Sequence, residues 1–224
     1  MDTILFLGFA AAYLALLVWG VRLAMRNGWS PANLPLLVVA ALVYDNLVLG
    51  LGSTIGHGPA LEGLNHGRFW IHAAITPTLV AWALHTLRRA GFGWAQSRAY
   101  QVLSIGAALA LTVVEYFLEV RGLHLVPQEE YGVLSYGSAE PATGPPLMVL
   151  VVAAFLVVAG ALVWRKQKWP WLFVGAVVMT IGSGVQLPLE SGAITNAFEL
   201  TLLVSIIATK TFQDRTLPGR AAMA

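Results

Sequence analysis

Seven apolar stretches, each near the roughly 20 residues that carry a helix across a bilayer core, leave this chain few ways to fold. They span residues 3–21, 34–52, 69–87, 100–118, 146–164, 169–189 and 193–209. Only 11% of the residues are charged and 58% are hydrophobic, whereas a soluble domain carries about 25% charge. A water-facing globular surface cannot be assembled from this composition. The expected fold is an all-α integral membrane protein, a seven-transmembrane-helix bundle forming one domain over residues 1–224. The absence of cysteine excludes disulfides, thiolate metal sites and cysteine nucleophiles.

Basic residues resist translocation and collect in cytoplasmic loops. Arg22, Arg26, Arg88, Arg89, Arg98, Arg165, Lys166, Lys168, Lys210, Arg215 and Arg220 follow the odd-numbered spans, leaving Arg68 and Arg121 on the other side. The split predicts an N-terminus outside and a C-terminus in the cytoplasm, hence a multi-pass protein of the cell membrane. The first span starts with Met1-Asp2, acidic rather than basic, and no small-residue cleavage site precedes Arg22. It is expected to remain in the mature protein rather than act as a signal peptide.

Trp19, Trp29, Trp94, Trp164, Trp169 and Trp171 fall near the expected inner interface, where amphipathic rings sit well. The long outer loop, 119–144, spaces Pro127, Tyr131-Gly132, Tyr136-Gly137, Pro141 and Gly144 along its length, which predicts an ordered hairpin or lid. Pro77 should kink span three. Gly50, Gly52, Gly175, Gly182 and Gly184 should permit close helix approach.

Ionisable side chains inside a membrane are costly and usually face the bundle interior. Span two carries Tyr44-Asp45-Asn46. Span three carries Asn65, Arg68, His72 and Thr76 on one stripe, and span four Glu115, Tyr116 and Glu119. Span six carries Ser183, Gln186 and Glu190, and span seven Thr195, Asn196 and Glu199. With the inner halves nearly all apolar, these groups predict an acidic pocket opening outward, with Asp45 and Glu199 deepest at roughly 10 Å from their helix ends. Asp45, Glu115 and Glu199 are the candidate catalytic groups; Tyr44, Asn46, Arg68, His72, Tyr116 and Gln186 are the candidate substrate-binding groups. Thr76, Ser183, Gln186 and Asn196 also suit interhelical hydrogen bonding. Too few cations oppose these carboxylates, so some remain protonated or a cation is bound at the cluster.

Several familiar chemistries lack their residues. A retinal lysine belongs near the middle of the last helix, whereas Lys210 lies at its inner end and reads as an interfacial anchor. His72 and His85 point about 220° apart around one helix, and no other span holds a histidine to pair them across a haem. The set suits a zinc site poorly, and no identified cofactor or protein metal site follows. The basic residues lie along the membrane surface, which excludes nucleic acid. Oligomeric state has no sequence signal.

Two function classes survive. One is an acid–base enzyme, of cyclase, isomerase or hydrolase type, acting on an amphiphilic small molecule, a lipid or isoprenoid, with Trp70, Tyr116, Tyr44 and Phe198 offering π faces to positive charge. In size, span count and the placing of one carboxylate on span two and another on span seven, the chain resembles the integral-membrane terpene cyclases. That resemblance implies acid–base chemistry on an isoprenoid. The other class is a proton- or cation-coupled transporter or a small-molecule-binding membrane receptor, in which the same carboxylates bind and release an ion.

Overall fold

The computed structural model describes residues 2–140, 147–184 and 191–216. Helix α1 (Asp2–Asn27) buries Phe6, Ala10, Tyr13, Leu16, Gly20 and Ala24. Their three- and four-residue spacing makes one stripe face the bundle. Ser30 then accepts a hydrogen bond from the Ala32 N–H at 3.3 Å and caps a single 3-10 turn that leads into α2 (Pro35–Ile55). Gly20 meets Leu36 near one end of this helix pair and Gly50 meets Leu7 near the other, so α1 and α2 lie antiparallel and close.

Span three differs from its expected form. Gly56, at φ +79°, ends α2, and Pro59 occupies the first turn of α3 (Pro59–Ile75), where its missing N–H costs nothing. The helix therefore begins well before residue 69. At Thr76-Pro77 it breaks rather than bends, and α4 (Thr78–Arg89) follows. Pro77 cannot donate to the preceding turn, and the Leu79 and Val80 N–H groups close a tighter turn onto Thr76 and Pro77.

Helix α5 (Arg98–Glu115) runs into a π-helical turn, Tyr116–Val120. After strands β1 (Leu125–Glu130) and β2 (Val133–Ser138) come α6 (Leu147–Gln167), α7 (Trp171–Gly184) and α8 (Thr195–Thr216). Among the described residues, four stretches are long and apolar enough to cross a membrane: Asp2–Asn27, Pro31–Ile55, Arg98–Val120 and Leu147–Gln167. Helices α3 and α4 are each shortened by Pro77, α7 is apolar but shorter, and α8 carries Lys210, Gln213 and Asp214. On α5, Val102 and Leu103 are 63% and 71% exposed, as side chains facing lipid would be. The chain folds as an all-α membrane protein, with a single hairpin among the described residues.

That hairpin lies in the long loop. Tyr131 and Gly132, at φ +51° and +79°, form its two-residue turn, the paired left-handed conformation that matches strand twist. Leu134 and Tyr136 pack on Val48 and Leu61, and Val133 packs on Phe6 and Ala193. The Asp2 N–H and Thr3 hydroxyl donate to the Tyr131 and Gly132 carbonyls, and the Gly58 N–H donates to the Tyr136 hydroxyl at 3.1 Å. Gly52 serves the hairpin rather than a helix, because a Cβ there would strike the Leu134 carbonyl. Residues 141–146 of the loop lie outside the described residues.

The opposite end is held by Asp214, past the seventh apolar stretch. It accepts hydrogen bonds from Arg89 and Lys210 at 2.6 Å each and from the Asn27 amide at 3.0 Å, tying α1, α4 and α8 together. Lys210 is therefore not an interfacial anchor; it is buried against its own helix at one-turn spacing. Burial opposes ionisation of Asp214, but the Lys210 and Arg89 hydrogen bonds outweigh it and hold the carboxyl below its ordinary value. A group depressed in the folded state stabilises above its unfolded value near 3.9 and loses that contribution as pH falls through the folded one. Asp214→Asn should thus cost about 1–3 kcal/mol at neutral pH. In thermal melts from pH 7 to pH 3, the difference from wild type should shrink toward zero at the acidic end.

Candidate functional site

Beneath the hairpin lies a cavity of about 310 Å³, bounded by α1, α2, α3 and α8. Phe6 and Leu49, which pack with Val133, form part of its wall on that side. Asp2 ties down another part, its carboxylate accepting from the Gly192 N–H at 2.7 Å and the Ser191 hydroxyl at 3.0 Å.

Asp45 and Glu199 both line this cavity, with Tyr44, Arg68, His72 and Thr76. Asp45 is paired: the Arg68 Nε donates to its Oδ1 at 2.7 Å. Arg68 Nη1 also donates to Asn65 Oδ1 at 2.8 Å, and the Asn65 amide is anchored on the Leu61 carbonyl. The guanidinium is therefore engaged by the Asp45 carboxylate and Asn65 Oδ1. Tyr44 donates to the Leu64 carbonyl at 2.8 Å, and its hydroxyl occupies the space a Cβ would need at Gly67. These bonds lock α2 against α3 on either side of Asp45.

On α8, Thr195, Asn196 and Glu199 share one face at three- and four-residue spacing. Asn196 is held twice, its backbone carbonyl accepting from the Tyr13 hydroxyl at 3.0 Å and its Oδ1 from the Asn46 amide at 2.8 Å. Asn46 is fully buried and does not line the cavity, so it ties α2 to α8 and does not offer itself to a ligand. Tyr13 reaches Glu199 from α1 as well. His72 lies one turn beyond Arg68, its Nδ1 at 3.3 Å from the Thr76 hydroxyl.

A smaller apolar chamber of about 70 Å³ adjoins the first and shares Val38, Leu42, His72, Thr76 and Glu199 with it. Polar groups thus line one side of Glu199, and hydrocarbon from α6, α7 and α8 lines the other.

Glu115 and Tyr116 do not line either chamber. The Tyr116 ring packs on Trp70 at 5.4 Å, and Trp70 lies two residues from both Arg68 and His72, about 200° around α3 at 100° per residue. Helix α5 therefore covers the far face of α3, which also removes Trp70 and Tyr116 as π faces for the cavity. Phe198 instead fills the space beside Gly182. The carboxylates do not gather into a metal-binding set: among the described residues, no three His, Cys, Asp or Glu side chains come together to hold a cation. Gln186 and Glu190 lie outside the described residues.

The sequence reading passed over Tyr13. Its signal was present, since a lone hydroxyl sits on the stripe of small and apolar residues that α1 turns inward. Phe6 and Phe69, which line the cavity where Tyr13 does not, carry no signal beyond hydrophobicity. No protein-family model, curated protein or solved structure matches this chain.

Proposed function

We propose that the chain crosses the cell membrane seven times with its N-terminus outside, and that the cavity beneath the hairpin catalyses acid–base chemistry on an amphiphilic lipid or isoprenoid substrate. One observation carries this reading: two carboxyl groups from different helices line one cavity, and its one fixed cation, among the described lining residues, is bonded to only one of them. Asp45 accepts a charge-assisted bond from Arg68, which fits it to act as the base. Among the described lining residues Glu199 has no such partner, and an apolar chamber lies at its back, which makes it the acid.

The reaction balances on these two groups. Glu199 gives its proton to an alkene, epoxide or ether oxygen, positive charge develops on carbon, and a bond forms or shifts within the substrate. Asp45 then removes a proton from the carbon beside that charge. A weak base suffices there, because a proton next to a carbocation is strongly acidic. Proton return from Asp45 to Glu199 resets the site. The Tyr44, Phe6 and Phe69 rings offer their π faces to the transient charge, and His72 orients the polar end of the substrate near the junction of the chambers.

The test is to incubate the purified protein in lipid nanodiscs with membrane lipid and isoprenoid extracts and search for a product by mass spectrometry. The expected result is an isomer of a consumed compound, formed only by active protein. If every extract is unchanged while a proton or cation gradient imposed across vesicles is dissipated, the enzyme reading fails and coupled transport replaces it.

A further inference from the structure

The chamber behind Glu199 is small, and its size limits what can occupy it. Ala153 and Leu156 on α6, Met179 on α7 and Leu203 on α8 line it, and its volume is about 70 Å³. That is about half of the roughly 150 Å³ that holds benzene in an engineered apolar cavity. The acyl chain of a membrane phospholipid is several times too large. We propose that this chamber receives the short alkyl end, about three carbons, of a small amphiphile whose oxygen-bearing end lies between Asp45 and Glu199. The position of the oxygen rests on the acid–base reading above, whereas the size limit rests on the cavity alone.

Two residues set the limit. Ala153→Leu adds three carbons, enough to fill a void of this size. Met179 is unbranched and rotates freely, so it closes the α7 side adaptably, and Met179→Ala enlarges the chamber. Both changes leave the ion pair and Glu199 in place, so neither removes an acid or a base.

The experiment uses photoreactive alcohols with a diazirine near the chain end, of about four, six and twelve carbons, on the full chain in lipid nanodiscs. Peptide mass spectrometry locates the adducts. In wild type the four-carbon probe should modify Met179, Leu156 or Ala153. The twelve-carbon probe should modify lipid-facing positions such as Val102 and Leu103. Ala153→Leu should lower chamber labelling about tenfold or more, since it excludes about three buried methylenes, and Met179→Ala should admit the six-carbon probe. Thermal melts of both variants check that they fold, and Met179→Ala tests the proposal independently if Ala153→Leu does not fold. Chamber labelling of wild type by the twelve-carbon probe, or labelling undiminished in folded Ala153→Leu, overturns the size limit. Labelling requires no turnover. Expected labelling in a protein that makes no product retains the chamber and removes the catalysis; the converse removes only the chamber.

Discussion

Glu199→Gln should lower turnover by about 10²- to 10⁴-fold, the usual worth of a positioned proton donor, while the protein stays folded. Glutamine keeps the shape of the side chain, and the tie between α1 and α8, the Tyr13 hydroxyl on the Asn196 carbonyl, does not pass through it. What it lacks is a proton that can be given away. Substrate binding should therefore change little, and the loss should fall on kcat rather than on KM. A purely structural Glu199 would produce the opposite pattern, with the midpoint of unfolding dropping and the residual activity following it.

Arg68→Leu should be the most damaging change at the Asp45 end, in stability as well as activity. The pair is only partly exposed, at 20% for Arg68 and 28% for Asp45. Removing one partner of a fully buried pair costs about 3–5 kcal/mol; discounting for that exposure, about 1–3 kcal/mol is expected here. Without the guanidinium, Asp45 loses the charge-assisted bond that fits it to act as the base. Asp45→Asn should lose activity for the same reason while stranding Arg68. The double variant Asp45→Asn, Arg68→Leu should recover much of the lost stability and none of the activity. A double-mutant cycle in thermal or chemical unfolding measures this, with a coupling of about 1–3 kcal/mol expected for groups in contact. Additive effects would mean that the 2.7 Å bond contributes nothing.

Much of this organisation is legible in the sequence because its causes are local. Uninterrupted apolar stretches locate the long helices, Tyr131-Gly132 between alternating residues locates the hairpin turn, and Pro77 locates the break in the third span. The start of α3 at Pro59 was missed because hydropathy weighs Asn65, His66 and Arg68 against a helix in lipid, although Gly58-Pro59 is a good helix start. Asp45, Arg68, His72 and Glu199 could be placed at similar depth by counting residues from the helix ends. Which of them meet is a tertiary fact. Glu115 matches them in depth and in chemistry, yet it lies across α3 from the cavity, because depth along a helix says nothing about which neighbour the helix packs against. The Arg68–Asp45 contact was hidden for a related reason, since a long side chain moves its charge about a full turn away from its own Cα. Asn46 illustrates the third loss: adjacent to Asp45 in the chain, it points about 100° away around the helix and spends its amide on Asn196.

The division of labour between the two acids can be measured without knowing the substrate. Infrared difference spectroscopy distinguishes the carbonyl stretch of a protonated carboxylic acid from the bands of a carboxylate and of an amide. At neutral pH, wild type should contain a protonated-acid band that disappears in Glu199→Gln and persists in Asp45→Asn. A band that persists in Glu199→Gln and vanishes in Asp45→Asn would reverse the roles of the two residues, and the absence of any such band in wild type would contradict the acid–base account at its base.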